Sequence, residues 1–261
     1  MRFFRALPTL LRVGWSEMTA YRAEMVVWIL SATLPLVMMA LWNAAAESAE
    51  LPGFSPTEVT RYFTVMLVVR QLTGMWLVWE FNQQVRTGSL SPQLLRPLHP
   101  LAWSFAETLA ALPWRMIVLA PLVLGVFLWR PEVAFVPNFE QGAGFVASLT
   151  LAWALAWATQ IVFGCLAFWF EQALGAWQAW FFLWGLFGGY IVPLTLMPPS
   201  IGAAARWLPF HATIGAPVEV LLGIAPVAPT LALQAGWVAA FSVLAALMWR
   251  HGVRRYGAVG A

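Results

Sequence analysis

The chain carries six apolar runs, each near the ~20 residues a helix needs to cross a bilayer, and most of its other properties follow from them. They fall at about Ala23–Ala45, Arg61–Trp79, Leu101–Trp129, Gly144–Phe170, Ala176–Met197 and Thr230–Trp249. A backbone in hydrocarbon has no water to hydrogen-bond, so runs of this length are expected to fold as helices. The predicted fold class is therefore an all-α polytopic membrane protein with six transmembrane helices. No linker, low-complexity tract or internal repeat divides the sequence, so 1–261 reads as a single domain. Composition agrees: 61% of residues are hydrophobic and 10% charged, far from the balance of a soluble domain.

Arginines orient the spans. Arg2, Arg5, Arg12, Arg22, Arg86, Arg96, Arg250, Arg254 and Arg255 fall on one side, and Arg61, Arg130 and Arg206 on the other. By the positive-inside rule both termini and the polar stretch Glu80–Leu101 face the cytoplasm. Trp28, Trp42, Trp79, Trp103, Trp129 and Trp249 lie near span ends, as interface anchors do. Residues 1–22 place Phe3, Leu7, Leu10, Leu11, Trp15 and Met18 near one helical face, which predicts an amphipathic interface helix with a bend or start at Pro8. The apolar run behind it is longer than the h-region of a signal peptide, so this segment reads as part of the mature protein. Between the fifth and sixth spans, 198–229 is rich in Pro and Gly yet strongly apolar, which predicts two short re-entrant or interfacial helices under protein cover.

The chemistry the chain can host is narrow. It has no Lys and no Asp, which excludes a Walker A lysine and an aspartyl phosphate. Cys165 stands alone, and His99, His211 and His251 are too scattered to suggest a metal site. Ser31, Ser148 and Ser242 have no nucleophile-elbow context, and nothing in the sequence pairs Glu80, Glu107, Glu171 or Glu219 as acid and base. No catalytic residues are assigned. Arg70 and Gln71 stand in the middle of the second span, where an arginine costs about 2.5–3.5 kcal/mol to insert. They mark either a substrate pathway or a structural interhelical pair. Arg115, eight residues beyond Glu107 and on nearly the same helical face, is expected to snorkel to the headgroups. Gly185 and Gly189 form a G-x-x-x-G, a helix-packing contact within one subunit or between two.

Glu80–Leu101 is polar, proline-punctuated and arginine-bearing at once. Gly88 can end the helix leaving the membrane, Ser91-Pro92 can start a short new one of about two turns, and Pro97 and Pro100 stop it. Leu94 and Leu95 then form an apolar knob beside Arg96. The run Arg86-x-Gly88-x-Leu90 followed by Leu94-Leu95-Arg96-Pro97 resembles the signature of a bacterial six-span permease family in the type-2 superfamily of ATP-binding-cassette transporters. The layout of the whole chain is similar too, as is Pro217 to Gly223 in the outer loop.

That resemblance implies a permease subunit, not itself an enzyme, that exports a substrate from the cytoplasm across the bacterial inner membrane. It implies a coupling helix within 86–100, with the ATPase contact falling on Arg86, Gly88, Leu90, Leu94, Leu95, Arg96 and Pro97. The implied partners are two copies of a cytoplasmic ATPase, which would hold the ATP and Mg, and a second permease, identical or homologous. No cofactor is expected on this chain, and no nucleic-acid partner. A lipid-like or amphipathic cargo suits the Trp-rich spans, although aromatic spans also pack well with no cargo. Two other readings are an ATP-independent channel or carrier and a structural factor of a membrane complex; neither gives the segment at 80–101 a task.

Overall fold

The computed structural model describes residues 2–20, 33–48 and 54–256. Among these there is no strand. The helices are α1 (Arg2–Ala20), α2 (Leu34–Ser48), α3 (Pro56–Thr73), α4 (Leu77–Thr87), α5 (Leu90–Leu94), α6 (Pro100–Trp129), α7 (Phe139–Cys165), α8 (Ala173–Phe187), α9 (Pro199–Arg206), α10 (Pro209–Leu221) and α11 (Val227–Tyr256). Among the described residues four stretches are long and apolar enough to cross a membrane: α3 with α4, α6, α7 with the short turn after it, and α11. The chain is thus an all-α polytopic membrane protein. Of the first expected span, the part before residue 33 lies outside the described residues, and α2 supplies the rest.

Local chemistry sets the ends. Ser55 and Glu58 form a reciprocal capping box ahead of α3, with Pro56 in its first turn. Asn138 and Gln141 do the same for α7. Gly88, at φ +77°, closes α4 in the left-handed conformation that glycine adopts freely. His99 caps α6, its Nδ1 accepting from the Leu101 amide at 3.3 Å.

The second and fifth spans differ from expectation. The second is two helices, α3 and α4, separated by Gly74, Met75 and Trp76. The fifth is 15 residues long and ends at Phe187, well short of Met197. Gly189, at φ +82°, turns the chain back, and the Tyr62 hydroxyl donates to its carbonyl at 2.9 Å. Gly185 lies inside α8 and Gly189 beyond its end, so the two glycines do not form one helical face. Both are buried in their own chain.

Pro8 lies within α1 and neither starts nor visibly ends it. The inward side of α1 packs on α6, with Leu10 buried, Gly14 against Ala110 and the Trp15 ring stacked 5.6 Å from Trp114. The segment 198–229 holds the two short helices α9 and α10. Every residue of α10 from Pro209 to Val220 is buried, so protein covers it on all sides. The core has two clusters. Tyr62, Phe63 and Met66 of α3 join Phe210, Ile214 and Val218 of α10 in one. Leu77, Phe81 and Val85 of α4 join Cys165, Phe168 and Ala245 in the other. The chain passes from one cluster to the other at the break after Thr73.

Candidate functional site

A broken helix leaves backbone groups that must find partners. Here two side chains from neighbouring helices supply them. Arg115 of α6 donates from Nη1 to the carbonyls of Gln71, at 3.2 Å, and of Gly74. Gln160 of α7 donates from Nε2 to the Met75 carbonyl at 2.9 Å and accepts from the Val78 amide at 3.0 Å. Arg115 is 7% exposed, so it does not snorkel to the headgroups. The carbonyl end of α3 lies within its reach, and that negative helix end holds the guanidinium. Glycine at 74 leaves the necessary room: a Cβ there would stand 2.5 Å from Arg70 Nη1 and 3.7 Å from Arg115 Nη1.

Arg70 stands in the last turn of α3, beside this break. Its guanidinium lies 5.6 Å from the centre of the Trp184 ring. Its Nε is buried without a partner, and no carboxylate among the described residues pairs with it. A cavity of about 270 Å³ opens in front of it. The walls are Trp76 and Trp79 of the break and α4, Thr159 and Gln160 of α7, and Trp177, Trp180, Phe181 and Trp184 of α8, with Thr213 of α10. Trp79 and Trp177 meet edge to face at 5.7 Å, and Phe181 stacks on Trp184 at 5.1 Å. Trp184 Nε1 donates to Thr213 Oγ1 at 2.8 Å. Thus Arg70 lines a cavity, as one of its two sequence readings required. Gln71 is buried and does not line it. Trp79, expected at an interface, lines the cavity instead.

The second candidate surface is the 86–100 hairpin. It holds one short helix, α5, of five residues, shorter than the two turns expected because Gly88 and Pro97 confine it. Leu90 is fully buried in the cluster of Phe81 and Phe168, which pins the hairpin down. Ser91 and Tyr256 hydroxyls lie 3.2 Å apart, and the His99 ring sits 4.6 Å from Trp249, so α11 braces it as well. Leu94 is half-buried, and Arg86, Gly88, Arg96 and Pro97 are exposed. Leu95 is 88% exposed at its tip. Desolvation beside Trp249 lowers the His99 pKa below its ordinary value.

Sequence reasoning missed three things. The break has a weak local signal in Gly74, an isolated glycine inside an apolar run. Gln160 carried none, since one amide in an apolar helix has many uses. Glu219, read as unpaired, lies 3.3 Å from both Arg206 Nε and His211 Nε2. Arg206 comes from α9, which no spacing rule joins to Glu219, whereas His211 lies eight residues before it in α10, a spacing that puts the two on nearly one helical face. Among the described residues no cluster suited to a metal ion occurs.

A comparison with curated proteins finds no match. A comparison with protein families matches residues 30–260 to the family described as ABC-2 family transporter protein. The match covers the broken span, the hairpin, the cavity and the two short outer helices, and so nearly the full chain. On that match the chain belongs to the ABC-2 family of transporter proteins.

Proposed function

We propose that this chain is the transmembrane permease subunit of an ATP-driven exporter, with both termini and the 86–100 hairpin in the cytoplasm. It works with two copies of a separate ATPase, which bind and hydrolyse the ATP, and with a second permease, itself or a homologue, in the bacterial inner membrane. One observation carries the reading: the hairpin offers an 88% exposed leucine on a fixed base. The same rigid segment, α4, joins that base to the break that lines the cavity. A push on Leu95 is therefore delivered through α4 to Trp79 and Trp76. Family membership supports the transport role, and the arginine distribution supports the orientation.

The test is co-purification with its candidate partner, a cytoplasmic ATP-binding-cassette ATPase from the same organism, followed by ATP turnover in liposomes. The wild-type pair is expected to associate and turn over ATP, and Leu95→Glu to lose both while the permease keeps its thermal stability. Retention of association and turnover by the variant overturns the proposal.

A further inference from the structure

Three buried polar atoms without partners belong to residues of the same cavity: Arg70 Nε, Thr159 Oγ1 and Trp177 Nε1. Arginine and indole nitrogens can only donate, and the threonine hydroxyl can donate too. A buried donor left unpaired has lost its hydrogen bonds to water and gained none in return, so three around one space are an expensive arrangement unless something accepts from them. Among the described residues no carboxylate lines the cavity, while Arg70 lines it and Arg115 backs it across Gly74. The site is thus cationic and rich in donors, and its walls are aromatic.

Access is from the side. Trp76 and Phe181, 38% and 41% exposed, carry the cavity lining out to the protein surface. Trp76 stands within the long apolar stretch Pro56–Thr87, so that surface lies between the ends of a membrane-crossing segment. A ligand arriving there comes out of the bilayer and must have an apolar body.

Resting on the permease reading, we infer that this cavity binds the anionic headgroup of an amphiphile, a carboxylate or phosphate on an apolar chain. The headgroup accepts from Arg70, Trp177 and Thr159, and the first part of the chain lies against the Trp and Phe rings. Gly74 matters because a side chain there would push the Arg70 guanidinium off this position.

The test uses the full-length chain alone, in nanodiscs of zwitterionic lipid, and reads quenching of its Trp fluorescence. The probes are bromoalkyl carboxylate, phosphate and trimethylammonium of equal chain length, with inorganic phosphate as competitor. The two anionic probes are expected to quench saturably at concentrations about tenfold or more below the cationic one. Arg70→Gln should remove that difference and Arg70→Lys should keep part of it. Trp177→Phe, which removes one donor and keeps a ring, should weaken the anions alone. Should Arg70→Gln fail to fold, Ala156→Phe, which fills the cavity from α7, serves in its place and should abolish the anion preference. Equal quenching by anion and cation, or an anion preference intact in both Arg70→Gln and Trp177→Phe, overturns the inference. Displacement by inorganic phosphate at equal concentration overturns the amphiphile and leaves a free-anion site. Because no ATPase is present, failure here is separable from failure of the permease reading, which shows as lost association.

Discussion

Arg70 and Arg115 converge on Gly74 from different helices, and their tasks differ. Arg115 is buried and holds two backbone carbonyls through Nη1, whereas Arg70 keeps an unpartnered nitrogen beside a cavity. Their variants should separate accordingly. Arg115→Leu leaves the Gln71 and Gly74 carbonyls without partners, at about 1–3 kcal/mol each. It is expected to lower the thermal midpoint clearly, while Arg70→Gln shifts it less and chiefly changes ligand binding. Thermal unfolding of both in one detergent checks this, and equal shifts would contradict the division of labour. From the sequence alone Arg115 reads as a snorkelling residue, because the acceptors that hold it exist only once α3 breaks. Arg70, by contrast, stood out as a mid-span charge, which is unusual enough to be informative without coordinates.

At the scale of elements, the hairpin and the broken second span form one mechanical unit. The turn signals Gly88, Pro92, Pro97 and Pro100 made the hairpin legible, since each acts through its own backbone. Its anchoring was not legible, because Leu90, Tyr256 and Trp249 meet only through the fold. His99 makes this unit sensitive to acid. Its Nδ1 must be neutral to accept from the Leu101 amide, and its folded pKa lies below the ordinary imidazole value of 6.5. A depressed folded value means that the contribution is present above 6.5 and is lost as pH falls from there through the folded value. Hydrogen exchange across residues 90–100, corrected for its intrinsic rate, should quicken between about pH 7.5 and about pH 5.5. His99→Asn, which caps without titrating, should flatten that dependence. An unchanged profile in the variant would place the sensitivity elsewhere.

For the whole molecule, long apolar runs gave the class and most of the spans, because length and hydropathy alone constrain a helix in lipid. They failed at the fifth span, where the turn at Gly188 and Gly189 is hidden inside an unbroken apolar run and depends on Tyr62. They also put Trp79 at a span end, whereas it lines the cavity, since an aromatic ring suits an interface and a packed core equally well. In the proposed coupling, force enters at the tip of the hairpin and reaches the cavity through α4. Cys165, buried and the only natural cysteine, allows a direct test by a single introduced thiol. In the assembled complex Leu95→Cys, treated with a short bifunctional crosslinker, should give a permease–ATPase adduct. Val136→Cys, equally accessible but on the far side, should give none. An absent adduct at 95, or equal adducts at both positions, would contradict the account.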